Sequence, residues 1–539
     1  MQRLLAAWAA VVAAMACRVL AVELHVSPRG NDAASGTSPA QAWRTLERVN
    51  RHVAEHGLQP GDAILLAGGA SFAGPLVVSH AGGGEPGKPS WIRTHGRGRA
   101  RILAGQGNGI LLRETPWVTV SGIDLVAGAK NDGDGIRCDR DHSGERRIAG
   151  IRIVDCTAWG FGWHGFMVDA AQRPLGFEDV RLERCVAQGN RHAGIMVYGG
   201  NPSGRSHRPH ARVEVLDCVA WGNPGDPGEL RHHSGSGILL DGVDEGRVAG
   251  CVAAENGGEC RNDRGGPVGI WTHASRRVVI ERCESHHNRS LLRDGGGFDL
   301  DGGCEECVLR WNYSHDNHGP GLLVYTYTGA AFPDRDCRVE GNISVRDGAP
   351  GTGYGGLQLG AEAGCRITGL VVTRNTVIAP AGSVAALRIM GESIHATVSS
   401  NLVVASSHGV LAALSGHRHS VRLAGNHYWR EDGSPVFLID HQWSVRALSE
   451  WRHPDGVETR FHAADEVFGN PRLGDVPGRG RPHPPRRMTP HWPSIHHGLL
   501  DVVGAPRAGG RDGSEAAAGM TQGRRGVSRA GTPGNRGID

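Results

Sequence analysis

Lysine is nearly missing from this sequence. Lys88 and Lys130 stand alone among 58 basic residues, and the rest are arginine. No lysine follows Lys130, which excludes a lysine base from the central coils described below. The arginine excess reads as a compositional bias, not as a phosphate-binding device. A surplus of one charge is also lacking. The formal net charge is +3 and no basic block precedes the tail, which excludes the usual signature of a nucleic-acid partner. After residue 21 no run approaches the roughly 18 apolar residues of a membrane-spanning helix, so the mature chain reads as not transmembrane. Glycine is plentiful, 83 of 539 residues, but without the G-X-Y period that collagen requires. No phosphate-binding loop, dinucleotide fingerprint or nucleophile elbow occurs in a fitting context.

The first residues read as an address. Arg3 gives a short basic start, Leu4 to Ala16 are apolar, and Val19-Leu20-Ala21 ends on a small residue. This predicts a signal peptide over 1–21 and a secreted or periplasmic protein. An alternative reading makes Ala14-Met15-Ala16-Cys17 a lipoprotein cleavage site. Export permits disulfides. Eleven of the 12 cysteines follow Ala21, and an odd number argues against full pairing.

Internal repeats dominate the centre. A small residue, an apolar one, any residue and a second apolar one recur from about 135 to 414. Examples are Gly165-Phe166-Met167-Val168-Asp169, Gly237-Ile238-Leu239-Leu240-Asp241, Gly269-Ile270-Trp271-Thr272-His273 and Gly297-Phe298-Asp299-Leu300-Asp301. Period two makes each copy a strand with one face inward. A second pattern ends in a column of Cys156, Cys185, Cys218, Cys251 and Cys283, continued by Asn312, Asn342, Asn375, Asn401 and Asn426. A third column holds Asn190, Asn223, Asn256, Asn288, Asn317 and Asp347. Asn suits tight turns and bonds to its stacked neighbours, and a small thiol fills a buried slot inertly. These columns predict coils of two or three short strands stacked in parallel: an all-β, right-handed parallel β-helix, the hand following the general crossover preference. The cysteines are expected to remain thiols, because in-register stacking does not supply ideal disulfide torsions.

The ends fit a capped solenoid. Residues 41–56 carry Trp43, Leu46, Val49 and Val53 along one side of a predicted helix, which would cover the first coil's edge. Tyr428, Trp429, Phe437, Leu438, Trp443 and Trp451 suggest an aromatic C-terminal cap. The division is therefore 22–100 for N-terminal cap and first coils, 101–430 for the main coils, 431–474 for the C-terminal cap, and 475–539 for a Gly/Pro/Arg-rich tail of disordered composition.

Leu24-His25-Val26-Ser27-Pro28-Arg29-Gly30-Asn31-Asp32, Ser35-Gly36-Thr37, Trp43-Arg44-Thr45-Leu46 and Pro60-Gly61-Asp62-Ala63-Ile64 carry a resemblance. Together they resemble the opening of secreted bacterial right-handed β-helix proteins of the pectate-lyase-like superfamily, over about residues 24 to 470. The resemblance implies fold and export. It does not imply one reaction, because the superfamily includes polysaccharide lyases, glycoside hydrolases, epimerases and non-catalytic surface proteins.

Alternation also says which side chains share the outward face. One outward column reads Asp139, Asp169, Tyr198, Asp241, His273, Asp301, Tyr325, and its neighbour includes Trp271, Asp299, Gln358 and Arg388. Asp299 and Asp301 are two apart on one strand, so their carbons lie about 6.5–7 Å apart on one face. They are the expected catalytic pair, with Asp241 and His273 in support. Trp271 is expected as a sugar platform, and Tyr325, Tyr198, Asp169, Gln358 and Arg388 as further substrate contacts. The insertions at 199–212 and 222–236, with His207, His210, His232 and His233, are expected to wall the groove. A second acidic group, Asp132, Asp134, Asp139 and Asp141, has a spacing suited to Ca²⁺, with turn chemistry as the other reading. His286-His287 and His315-Asp316-Asn317-His318 offer metal-binding side chains within the turn columns. Asn342-Ile343-Ser344 is a formal glycosylation sequon that falls in the Asn ladder.

Three functions fit. A glycoside hydrolase would use the paired aspartates as acid and base on a polysaccharide or oligosaccharide, with no cofactor required. A polysaccharide lyase or uronate epimerase would need a Tyr, His or Arg base and a cation or positive group beside the substrate carboxylate. A non-catalytic glycan-binding or surface-adhesion protein would need neither. The chain reads as a monomer.

Overall fold

The computed structural model describes residues 21–468, apart from residues 81, 142–143, 172, 201–206, 264, 392, 417–419, 441–442, 446–460 and 465–466. Residues 1–20 of the predicted leader, with Cys17, and Trp451 and the tail lie outside the described residues.

Three strands make one coil. Ser236–Asp241, Val243–Ala249 and Val252–Ala254 form one turn of the spiral. Val268–His273, Arg276–Glu281 and Glu284–His286 form the next. Gly296–Asp301, Val308–Arg310 and Tyr313–His315 follow. Each strand pairs in parallel with its counterpart one coil on, which builds three long sheets. The expected register holds along the site: Leu239 pairs with Trp271 and Asp241 with His273, then Trp271 with Asp299 and His273 with Asp301. The chain is a right-handed parallel β-helix.

Alternation fills the interior. Ile238, Ile270, Phe298, Leu322, Leu357 and Leu387 stack in one column and are buried. Each such side chain contributes about 1.5–3 kcal/mol by leaving water. The corners are equally regular. Arg184, Asp217 and Arg282, each just before a column cysteine, have φ of 51°, 51° and 52°. One left-handed residue turns the chain from the second sheet to the third.

Polar ladders bind the corners together. The Cys185, Cys218 and Cys251 amides each donate to the next cysteine's Sγ at 3.4 Å. The Cys283 amide then donates to Asn312 Oδ1 at 2.9 Å, and asparagine continues the column. In the second ladder the Asn190 amide and Nδ2 both donate to Asn223 Oδ1, at 2.9 and 3.0 Å. The pattern repeats through Asn256, Asn288 and Asn317 to Asp347. All eleven described cysteines are free thiols. Asn342 is buried inside its ladder.

The N-terminal helix, Leu46–His56, is capped by Thr45, whose side chain accepts from the Arg48 amide. Leu46, Val49 and Val53 face inward. Asn50 Oδ1 accepts from the Val77 amide and its Nδ2 donates to Pro75 O, both at 2.9 Å. The helix thus satisfies backbone groups at the first strand of a sheet, Leu76–Ser79, which would otherwise offer an edge for pairing. At the other end, Phe437–Ile439 pairs antiparallel with Trp443–Val445. Parallel pairing nevertheless reaches Phe461–Ala464 through Ser420–Ala424, beyond the expected end of the coils.

Candidate active site

The outward face of the sheet that carries Asp241, His273, Asp299 and Asp301 is not open to solvent. Alternation fixes which way a side chain points, not what covers it. Here aperiodic loops roof the strands. Met167, Met196, Leu239 and Trp271 form a second apolar cluster outside the solenoid, with Tyr198 packed against it. Asp241 is 2% exposed and Asp299 4%.

The roof leaves a cavity of about 830 Å³. Asp299 and Asp301 line it together with Trp271, Tyr325, Gln358 and Arg388. The loop at 222–235 contributes Arg231, His232 and His233 to the wall. The segment around 207–210 does not reach it. His207 lies 2.8 Å from Pro174 O, and His210 is buried 3.1 Å from Tyr198 O.

Asp299 is the carboxyl in this cavity with an unmet hydrogen-bonding atom, as His233 Nδ1 and Arg388 Nε are among the nitrogens. Its Oδ1 is buried without a hydrogen-bond partner. Burial, then the neighbouring Asp301, Asp294 and Asp334, push its carboxyl well above the usual carboxylate range. Burial also raises Asp301, to about 6, but the His273 charge and the Gly302 amide pull in the other direction. Two carboxyls on one strand therefore ionise unequally, and the difference comes from what lies beside each.

His273 is held from both sides. Its Nδ1 is 2.8 Å from Asp241 Oδ1, and its Nε2 is 2.6 Å from the Tyr327 hydroxyl. Asp241 Oδ2 accepts from the Gly199 amide at 3.0 Å. Burial lowers the His273 pKa, but Asp241 and Asp301 outweigh it and the net shift is upward. Asp241 and His273 thus stand behind the cavity wall, and Tyr327 presents its ring to the cavity. Burial, Asp301 and Asp241 push the Tyr327 phenol up, so it stays protonated.

Tyr327 was not legible in the repeats, since it lies just past the strand Leu322–Thr326. The same holds for Asp334, which accepts from the Gly303 and Cys304 amides at 2.9 and 3.0 Å and is raised to about 7 by burial. Asp294 ties three loops together. It accepts from the Tyr354 hydroxyl at 2.8 Å and from the Gly266 amide at 2.6 Å. Its place at the head of Asp294-Gly295-Gly296-Gly297 was the available signal.

The remaining expected residues sit as follows. The Trp271 indole N–H donates to Ser236 Oγ at 3.2 Å, and its ring meets His233 edge-on at 4.8 Å. At 5% exposure it offers the cavity only a small part of its surface, which limits it as a sugar platform. Gln358 Oε1 is 3.4 Å from Arg388 Nη1, which also donates to Gly353 O. Asp169 is paired with Arg137. Asp169 and Tyr198 are not among the cavity-lining residues.

The expected Ca²⁺ cluster does not converge. Asp134 is engaged by His164 at 2.8 Å and Arg137 at 2.9 Å. Asp139 pairs with Arg113 at 3.0 Å, and Asp141 with His80 at 3.1 Å. Asp132 is exposed on its loop. Arg113 also reaches Asp141 at 3.5 Å and Arg137 reaches Asp139 at 3.7 Å, so shared arginines, with His164 and His80, occupy the positions beside these carboxylates.

Comparison with known proteins agrees with the coil geometry. A family model described as a right handed beta helix region matches residues 134–344. No curated protein sequence matches the chain. Similar solved structures include the GH136 lacto-N-biosidase from Eubacterium ramulus, at 17% identity over 69% of this chain and 67% of that one, TM-score 0.49. Pectate lyase Pel9A matches at 16% identity over 70% and 78% of the two chains, TM-score 0.38. The A-module of Azotobacter vinelandii mannuronan C-5 epimerase AlgE4 matches at 14% identity over 70% and 95%, TM-score 0.44. None of these likenesses identifies a reaction for this chain. Among the described residues no helix is long and apolar enough to cross a membrane.

Proposed function

We propose that the protein is an exported glycoside hydrolase acting on a polysaccharide or oligosaccharide, with Asp299 as general acid and Asp301 as general base. One observation carries this reading: a buried carboxyl with an unpartnered oxygen stands two residues from a second carboxyl in one large cavity. Asp299, held well above the usual carboxylate range, keeps its proton to higher pH than Asp301 and can give it to a leaving glycosidic oxygen. Asp301, helped by the His273 charge, ionises first and can take a proton from water. Side chains two apart on a strand are separated by about 6.5–7 Å, which leaves room for that water and favours inversion at the anomeric carbon.

A second reading has its own support. The Asp241–His273–Tyr327 chain resembles a proton relay, and a lyase or uronate epimerase needs such a group to remove the proton beside a carboxylate. The upward shift of the Tyr327 phenol makes it a donor before it is a base, which favours the hydrolase.

A panel of polysaccharides separates the two. New reducing ends without ultraviolet absorption are expected; an absorbing unsaturated product would establish a lyase. On a hydrolysed substrate, Asp299→Asn and Asp301→Asn should each lower kcat at least about 100-fold, the scale of lost general acid–base catalysis. Near-normal turnover in both variants, with loss in Tyr327→Phe, would replace the hydrolase by the relay mechanism. Glycan binding without any product would make the cavity a binding site alone.

A further inference from the structure

On the third sheet, away from the cavity strands, Glu284, His286 and His315 bring three ligand atoms within 4.8 Å of one another. Glu284 and His286 are two apart on the strand Glu284–His286, so both side chains leave the same face. His315 is the register partner of His286 on the next coil. Two side chains on one strand and one on its neighbour form a triangle that a single ion can close. His315 Nε2 lies 3.3 Å from Glu284 Oε1, and His286 Nε2 lies 4.0 Å from the same oxygen. Two donors on one tetrahedral zinc are roughly 3.3 Å apart, which the His315–Glu284 pair already meets and the His286–Glu284 pair exceeds by less than an ångström.

The surroundings aim these atoms. His315 Nδ1 is 2.7 Å from Asp316 Oδ2, which turns Nε2 toward Glu284. Asp316 is itself clamped by Arg346 through Nε at 2.6 Å and Nη2 at 2.7 Å. The His286 and His315 rings stack 4.7 Å apart at 9°. His286 Nδ1 lies 2.8 Å from His287 Nδ1, leaving Nε2 toward Glu284. A histidine oriented through its second nitrogen by a held carboxylate is the arrangement that tunes metal ligands. The side chains of Glu284, His286 and His315 retain 17%, 14% and 11% of their exposure, which leaves a way in for an ion.

We propose that Glu284, His286 and His315 form a site for a divalent transition metal of the Zn²⁺ class, bound through one carboxylate oxygen and two Nε2 atoms. Imidazole and carboxylate donors in this ratio suit Zn²⁺ better than Ca²⁺, which takes oxygen ligands only. A fourth position would remain for water. The ion would bridge two coils just before residues 289–295, the loop that brings Arg293 and Asp294 to the cavity.

Full-length protein, made without a histidine tag and stripped with a chelator, is titrated with Zn²⁺ alone by calorimetry, and Co²⁺ absorption reports the ligand geometry. One equivalent should bind and raise the melting temperature. Glu284→Gln and His315→Gln should abolish both effects, and Asp316→Asn should weaken binding about 10-fold through loss of orientation. Absence of binding to the stripped wild type, or unchanged stoichiometry and affinity in both ligand variants, would overturn the proposal and leave a stacked imidazole ladder. If His315→Gln does not fold, Glu284→Gln at a partly exposed position decides the matter. Neither outcome bears on Asp299 and Asp301, since the metal is read by binding and not by turnover.

Discussion

At the residue scale, the unequal pair of aspartates makes the pH dependence predictable. Asp301 must be ionised to act as base, and its pKa lies at about 6. kcat/KM should therefore fall as pH drops below about 6, while the alkaline limb, set by Asp299, lies further up. Asp241→Asn should move the acid limb to higher pH. It removes the carboxylate that keeps charge on His273, and that charge lowers Asp301. An acid limb unmoved by this change would separate Asp241 from the pair. Asp347 supplies a stability test. Burial raises it from 3.8 to about 6, against hydrogen bonds from Ser344 and Asn317. The folded state then holds this proton more tightly than the unfolded chain. Its contribution is complete below about pH 3.8, falls as pH rises through about 6, and is constant above that. Asn at this position can accept from Asn317 and donate to Ser344. Asp347→Asn should raise stability at pH 7 by about 1–3 kcal/mol and flatten the loss between pH 4 and 6, measured by urea unfolding at a series of pH values.

At the scale of elements, the ladders and the roof do different work. Asn256 Oδ1 accepts from the Asn223 amide at 3.1 Å and from Asn223 Nδ2 at 2.8 Å. Asn256 Nδ2 donates to Asn288 Oδ1 and Ala220 O. Asn256→Ala would leave the Asn223 amide without its acceptor and take one bond each from Asn223 Nδ2, Asn288 Oδ1 and Ala220 O, although Asn223 Nδ2 keeps Ala187 O and Asn288 Oδ1 keeps the residue-256 amide. At about 1–3 kcal/mol for the unsatisfied amide and about 1 kcal/mol for each other lost bond, the expected loss is about 3 kcal/mol or more. It should appear as a lower urea midpoint. An effect below about 1 kcal/mol would mean that water replaces the ladder. The roof loops have no such repeat. Asp294, Tyr354 and Gly266 join three of them by specific hydrogen bonds, and those contacts shape the cavity.

At the scale of the whole molecule, the solenoid shields its thiols. Ten of the eleven described cysteines are buried, and Cys365 is partly so. Burial pushes the Cys138 thiol up to about 12, and Cys185, Cys218 and Cys251 are raised in the same direction. A thiol reagent should therefore find little to react with in the native protein and the full complement after denaturation. Rapid native labelling of several cysteines would show that the coils open locally.

The coils were legible in the residues because a parallel solenoid repeats one environment at each turn. A strand that keeps Ile238, Ile270 and Phe298 inside must send Leu239, Trp271 and Asp299 outside, and the Cys and Asn columns pin the register between coils. That periodicity determined the fold, the thiol column and the shared face of Asp299 and Asp301. It also placed His286 opposite His315, although each lies in a separate repeat. The roof was not legible, since loops of unequal length have no period and their docking depends on contacts made only in three dimensions. Tertiary structure alone put Tyr327 against His273, buried Asp241, drew Asp134 to His164 and Arg137 and set Arg113 between Asp139 and Asp141, and left one oxygen of Asp299 without a partner. Alternation states a direction for each side chain, whereas ionisation and reactivity depend on the neighbours that packing brings to it.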